Sequence, residues 1–319
     1  MRTARQQRGA ALLTALIIVT LVATMASAMV WRQYQAVQIE AAGRARAQAG
    51  WILQGALDWA RLILREDARA NLSEPIDHLG EVWAVPLAEA RLSTFLAADP
   101  GNVDDGPEAF LSGSISDAQG LYNLRWLLGG PQLPAQELRV LERLCDSAGV
   151  PAGTALLLSS KLRAAFNGGS SSKPDAVDRP LLAKNIDQMA WIGLSADTVE
   201  RLRPLVTLLP VLTPVNLNTA PREVIAALFD GMDLASAERL VQARRAAPLR
   251  NTQAAKNYLP TTAVVSNERI GVTSAFFFVR GSLRLDNRLL EERSLVQRIG
   301  LDMLVLDRQR LSQVLAAGR

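Results

Sequence analysis

The 22 residues from Ala10 to Trp31, AALLTALIIVTLVATMASAMVW, contain no charge. As a helix they span about 33 Å, the thickness of a bilayer's hydrocarbon core. Arg2, Arg5 and Arg8 precede the run and none interrupts it, which predicts a cytoplasmic N-terminus with the bulk of the chain across the membrane. A cleaved signal peptide is the alternative, because Ala26-Ser27-Ala28 has the small-x-small form of a cleavage site. The apolar core of such a peptide is only about 7–15 residues long, however. No proline occurs between Arg2 and Ser73, so the expected element is a retained span that continues as helix to about Asn71.

With 49% hydrophobic and 21% charged residues in 319, the remainder has the composition of a folded protein. The net charge is +4, of which the three leader arginines supply three, leaving +1, so basicity gives no argument for nucleic acid. One cysteine, Cys145, allows no internal disulfide, and one histidine, His78, leaves no His-rich zinc site and no ordinary Ser-His-Asp triad. No catalytic residues are assigned, and an enzyme is not expected.

Beyond the apolar run, Leu53, Leu57, Ala60 and Leu64 form one row at helical spacing and Ile52, Ala56, Trp59 and Ile63 a second. The two together predict a broad stripe that docks on a sheet, with Arg61 and Arg65 on the polar face. Residues 74–90 read as a loop carrying His78. Residues 110–120 alternate Leu111, Gly113 and Ile115 against three serines, the pattern of a half-buried strand. From Leu121 to about Pro260 helical patterns dominate, with Cys145 on an apolar face. Strands return at Phe276 to Leu285 and run to about Arg298, followed by a tail. The early and late strands are expected to share one sheet, with the helical block inserted between them.

In that block, residues 219–246 have a helix-hairpin-helix layout. Thr219 is a candidate cap, Pro221 fits the first turn, and Ala237, Leu240, Val241 and Arg244 share one face of the second helix. A membrane-tethered periplasmic DNA-binding protein is therefore the alternative function. The hairpin Asp230-Gly231-Met232-Asp233 flanks its glycine with two acids, and residues 215–250 hold five arginines against four acids. Phosphate binding needs far more positive charge, and no nucleic-acid partner is expected.

The leader ending at Arg8-Gly9, the long uncut helix and the small sheet resemble type IV pilin-like proteins. The stretches DHLGEVWA (77–84), ISDAQGLYNL (115–124) and VNLNTAP (215–221), with the inserted helical block, resemble the K-type minor pseudopilins of type II secretion systems over essentially the whole chain. The resemblance implies an α+β, type IV pilin-like fold: a long N-terminal transmembrane helix packed on a small antiparallel sheet, with a large inserted all-α domain. It implies a leader over 1–9, a transmembrane helix over 10–31 and a periplasmic helical extension over 32–72. The β domain then falls at 73–120 and 261–319, around an α-helical domain at 121–260.

It also implies cleavage by a prepilin peptidase between Gly9 and Ala10, with N-methylation of Ala10. The expected role is at the tip of the pseudopilus, initiating and capping assembly with the I- and J-type minor pseudopilins. The further partner is the inner-membrane secretion platform, and the location is the bacterial inner membrane, with the C-terminal bulk periplasmic. Thr14 stands at the fifth mature position, where most pilins carry glutamate. A carboxylate there costs several kcal/mol in lipid unless paired with a neighbouring subunit's amine. The family's acidic, calcium-linked segment reads SSKLRAAFNGG here. Asp175 and Asp178 are weak candidate ligands beside Lys173 and Arg179, short of the 6–8 oxygens calcium takes, and no cofactor is expected.

Overall fold

The computed structural model describes residues 8–92, 109–130, 132–167, 181–285 and 288–314. The chain divides between Gly55 and Ala56 into two units. Helix α1 (Arg8–Ala70) crosses that boundary. In the first unit the described chain is helical throughout, as its Ala- and Leu-rich, proline-free sequence favours. One helix there is long and apolar enough to cross a membrane. Exposed Glu40 and Arg44 form an ion pair one turn apart; such pairs contribute about 0.3–0.5 kcal/mol.

The second unit is built on a five-stranded sheet. Its strands are β1 (Leu87–Arg91), β2 (Ala109–Asp117), β7 (Phe276–Leu285), β8 (Arg288–Ile299) and β9 (Asp302–Val314), in spatial order β1-β2-β7-β8-β9. All neighbours are antiparallel. The early strand therefore pairs with a late one, Ile115 opposite Val279 and Leu111 opposite Leu283.

The C-terminal part of α1 covers one sheet face. Leu57, Ala60 and Leu64 pack with Trp83, Phe277, Val279, Val296 and Met303. Burying each leucine side chain contributes about 2 kcal/mol. Trp83 meets Phe277 edge to face, centroids 5.3 Å apart. The second predicted row contributes less: its Ile63 packs against this core while only partly buried. Trp59, at the centre of the second, is 63% exposed. Arg61 and Arg65 do not lie idle on a polar face: their Nε groups donate to the Met303 and Leu301 carbonyls at 2.9 and 3.0 Å, which ties the helix to the β8–β9 hairpin.

The three consecutive phenylalanines divide between the two faces of the sheet. Phe277 faces α1, while Phe276 joins Ala118 and Leu209 in a separate small core against which Phe278 and Leu295 pack. Strand geometry sends alternate side chains to opposite faces, so an unbroken apolar run marks a strand covered on both.

Two segments differ from the sequence expectation. Residues 74–90 are not all loop, because Leu87–Arg91 forms edge strand β1. Its tie to β2 is irregular, with a register shift between Leu87 and Ala90, so no clean alternation is visible. The expected C-terminal tail is strand β9. Gly300, at φ +58°, makes a tight reversal after Ile299. A register shift at Leu295/Val296 leaves Leu306 unpaired in β9, and the half-buried positions 307 and 309 hold Asp307 and Gln309 while Leu304 and Leu306 are exposed, so apolar residues do not mark the strand's inner face.

Between β2 and β7 lies the helical block. It comprises α2 (Ala135–Ala148), α3 (Thr154–Asn167), α4 (Ala196–Leu202), α5 (Arg222–Leu228) and α6 (Leu234–Ala246), around one apolar core. Two-residue parallel bridges stitch it: β3 (Tyr122–Asn123) with β4 (Val206–Thr207), and β5 (Val215–Asn216) with β6 (Ile270–Gly271). Cys145 is buried in this core, and burial pushes its thiol up to about 12.

Candidate functional site

The three sequence stretches singled out above meet at one place, where the sheet joins the helical block. Asp117 ends β2. Its Oδ1 accepts from the Gln119 amide at 2.7 Å, and its Oδ2 accepts from the hydroxyls of Thr219 and Ser274, both at 2.6 Å. The Asn216 amide is shared among Asp117 Oδ2 at 2.9 Å, the Ser274 hydroxyl at 3.0 Å and the Asp77 carbonyl at 3.0 Å. One residue from each stretch (Asp77, Asp117, Asn216) thus meets at a single side-chain amide. All three are buried, and none of their buried side-chain polar atoms lacks a hydrogen-bond partner. Such a network stabilises when complete and costs about 1–3 kcal/mol for each group left unpaired.

Local sequence prepares these positions. Gly120 is required because a Cβ there would lie 2.9 Å from the Thr219 hydroxyl oxygen. Thr219, the cap expected from sequence, does not cap α5: Pro221 holds the N-cap position without a side-chain cap, and the Thr219 hydroxyl donates to Asp117 instead. Asn218 bonds the backbone of Leu249 in both directions, at 2.9 and 2.8 Å, and Arg244 donates to the Leu217 carbonyl. Burial pushes the Asp117 carboxyl up to about 6, against the pull of its Ser274, Thr219 and Gln119 donors.

Asp77 extends the network towards α1. Its Oδ2 accepts from the Ser274 amide at 2.7 Å, and both oxygens accept from Arg298 Nη2 at 2.5 and 2.6 Å. Arg298 Nη1 reaches Asp67, on the last turns of α1, at 3.1 Å, and the guanidinium lies 4.9 Å over the Phe277 ring. Glu81 completes an acidic triad with Asp67 and Asp77 at metal-like spacing. Arg298 is the cation held there, and Glu81 is taken up by Asn71, the His78 amide and the Trp83 indole, at 2.8, 2.9 and 2.7 Å. Burial, then Glu81 and Asp77, push the Asp67 carboxyl up to about 6. The His78 side chain bonds the local backbone, its Nδ1 accepting from the Gly80 amide at 3.1 Å. Asp175 and Asp178 lie outside the described residues.

Sequence reasoning found Asp77, Asp117, Asn216 and Thr219 within their stretches but missed Ser274, Asp67 and Arg298. These have no local signal: Ser274 is 157 positions from Asp117, and Arg298 is 231 from Asp67.

At the other end of the chain, Gly9 and Ala10 fall in the first turns of α1. Thr14 donates its hydroxyl to the Ala11 carbonyl at 3.0 Å; Thr20 and Thr24 do the same to Ile17 and Leu21, both at 2.9 Å. These hydroxyls are satisfied within their own helix, as lipid requires.

The hairpin between α5 and α6 turns at Gly231, φ +78°. The Asp230 carboxylate is bound by Arg143 of α2 at 2.7 Å, with Arg139 at 3.6 Å, and Arg143 also holds the Ala227 carbonyl at 2.8 Å. Asp233 caps α6 through the Ser236 amide at 2.7 Å. The hairpin is thereby latched to its own domain.

Comparison with known proteins puts this geometry in a family. Residues 215–273, the segment holding Asn216 and Thr219, match the model of the type II secretion system (T2SS) protein K family. The type II secretion system protein K of Pseudomonas aeruginosa (strain PAO1) is 30% identical over 257 residues, covering 75% of this chain and 73% of that protein. The chain belongs to the type II secretion system protein K family. Protein K of Pectobacterium carotovorum subsp. carotovorum is 27% identical, with 95% of this chain and 96% of that one aligned. Among solved structures, the GspK-GspI-GspJ complex of the enterotoxigenic Escherichia coli type 2 secretion system contains a similar chain. It matches with a TM-score of 0.62 at 22% identity, covering 84% of this chain and 98% of that one, which supports the pilin-like fold with its helical domain. As a protein K family member the chain is a minor pseudopilin, a structural component of type II secretion. The DNA-receptor alternative gains no support from these relatives or from the latched hairpin.

Proposed function

We propose that this protein K is the tip subunit of the type II secretion pseudopilus, assembling with I- and J-type minor pseudopilins to drive folded proteins across the outer membrane. The observation that carries this reading is the hydrogen bond from Thr14 to the Ala11 carbonyl. A fifth-position glutamate needs an amine from a subunit ahead of it, whereas a hydroxyl satisfied inside its own helix needs none. A first-in subunit has no subunit ahead. The complex formed by the fold relative, GspK with GspI and GspJ, supports the choice of partners. The helical block inserted between β2 and β7 supplies the bulk that blocks addition of a further subunit.

In this reading the prepilin peptidase cuts between Gly9 and Ala10 and methylates Ala10, leaving residues 10–31 as a single-pass anchor in the inner membrane with the C-terminal bulk periplasmic. The mature chain then engages the inner-membrane secretion platform. No cofactor is required, and calcium at Asp175 and Asp178 is not part of the mechanism.

The test is co-expression of the full chain with its I- and J-type partners. Wild type and Thr14→Val should each yield a three-way complex after detergent extraction, and Thr14→Glu should yield less. Equal recovery and equal secretion from Thr14→Glu and Thr14→Val would remove the role given to Thr14.

A further inference from the structure

Trp31 and Tyr34 lie one turn apart on α1, with ring centroids 6.3 Å apart and planes inclined by 30°. Both are exposed, at 62% and 58%. They stand where the chemistry of the helix changes. Every residue from Ala11 to Val30 is exposed and uncharged, Arg32 is the first charge after the leader, and Gln33, Gln35, Gln38 and Glu40 follow within eight residues.

We infer that Trp31, Tyr34 and Arg32 form a collar that seats α1 in the headgroup layer on the far side of the membrane from the leader. Three arguments meet here. Residues 10–30 span about 31 Å as a helix, one hydrocarbon core, so lipid ends where the aromatic pair begins. Indole and phenol rings combine an apolar body with a polar tip and collect at the membrane–water boundary. An arginine between them extends its head to the phosphates while its stem stays in the apolar layer. The occupant is thus the lipid headgroup layer, and no second helix is needed to cover these rings. With the exit plane at Trp31, Gly9 and Ala10 fall at the opposite surface, within reach of a membrane peptidase. The inference rests on the anchor reading above and adds its boundary.

The experiment uses the full chain in vesicles of phosphatidylcholine and phosphatidylglycerol, with single cysteines introduced as Met25→Cys, Met29→Cys, Gln33→Cys and Val37→Cys. A charged, impermeant maleimide is supplied on both faces. Native Cys145, buried and with its thiol pushed up to about 12, stays unlabelled. Labelling is expected at positions 33 and 37 and lost at 25 and 29. In Trp31→Ala/Tyr34→Ala the boundary should move by about one helical turn, seen as labelling gained at Met29→Cys. A boundary beyond Val37, or one unmoved by the double substitution, would overturn the collar while leaving the anchor intact. Free labelling at Met25→Cys would remove the anchor itself.

Discussion

Arg298 grips Asp77 through one guanidinium nitrogen and both carboxylate oxygens, at 2.5 and 2.6 Å, deep in the junction between the sheet and the helical block. The same side chain reaches Asp67 of α1 and the Ser274 carbonyl, so one arginine joins the helix, β8 and the approach to β7. Asp77 is 2% exposed, and a carboxylate so buried depends on its partner.

Arg298→Met leaves Asp77 and Asp67 without their cation. Removing one member of a buried pair costs about 3–5 kcal/mol. For a folded unit of this size each kcal/mol lowers the melting temperature by about 2–4 °C. A calorimetric scan should therefore place Arg298→Met about 6–20 °C below wild type, with Arg298→Lys in between. A Met variant that melts with the wild type would show that the pair contributes nothing.

Gly120→Ala places a methyl against the Thr219 hydroxyl, and a clash with well-packed neighbours costs about 1–3 kcal/mol. Thr219→Ala alone loses the bond to Asp117. The double variant loses the bond but relieves the clash, so urea unfolding should give it a smaller penalty than the two single penalties added. Strict additivity would contradict the contact.

Asp67 and Asp117 are both pushed up to about 6, against an unfolded value of about 3.9. A folded-state value above the unfolded one means that the native form holds the proton more tightly. The resulting stabilisation is complete below about pH 3.9 and is lost as pH rises through about 6. Melting temperatures of the full chain in detergent should therefore rise as pH falls from about 7.5 to about 5, and Asp67→Asn should flatten that slope. A slope unchanged in Asp67→Asn would exclude Asp67 as a contributor.

Gly9→Val should block leader removal. Whole-cell immunoblots would then show a precursor nine residues longer than the wild-type product, with Ala10 unmethylated by mass spectrometry. Normal processing of this variant would move the cut site away from Gly9–Ala10.

How much was legible depended on range. The amphipathic row Leu57, Ala60, Leu64 and the alternation in β2 are written in neighbouring residues, and both were read from them. So was the second hairpin helix, whose predicted inward residues Ala237, Leu240, Val241 and Arg244 are all buried. Strand β9 was not legible, because its half-buried positions include Asp307 and Gln309 while Leu304 and Leu306 are exposed, so hydrophobicity does not follow its period. The three recognisable stretches could be identified as a family pattern without any indication that they touch.

By itself, the sequence determined the apolar helix with the arginines that precede it, the segregation of strands and helices along the chain, and the family. Each depends on composition or on spacings of two to four residues, which local backbone geometry converts directly into structure. Only the tertiary structure decided that Asp77, Asp117, Asn216, Ser274 and Arg298 share one buried network, or that Arg61 and Arg65 are turned onto the β8–β9 hairpin. Those outcomes depend on which distant groups are brought together once water is excluded, and a buried charge takes whichever partner the folded chain places beside it.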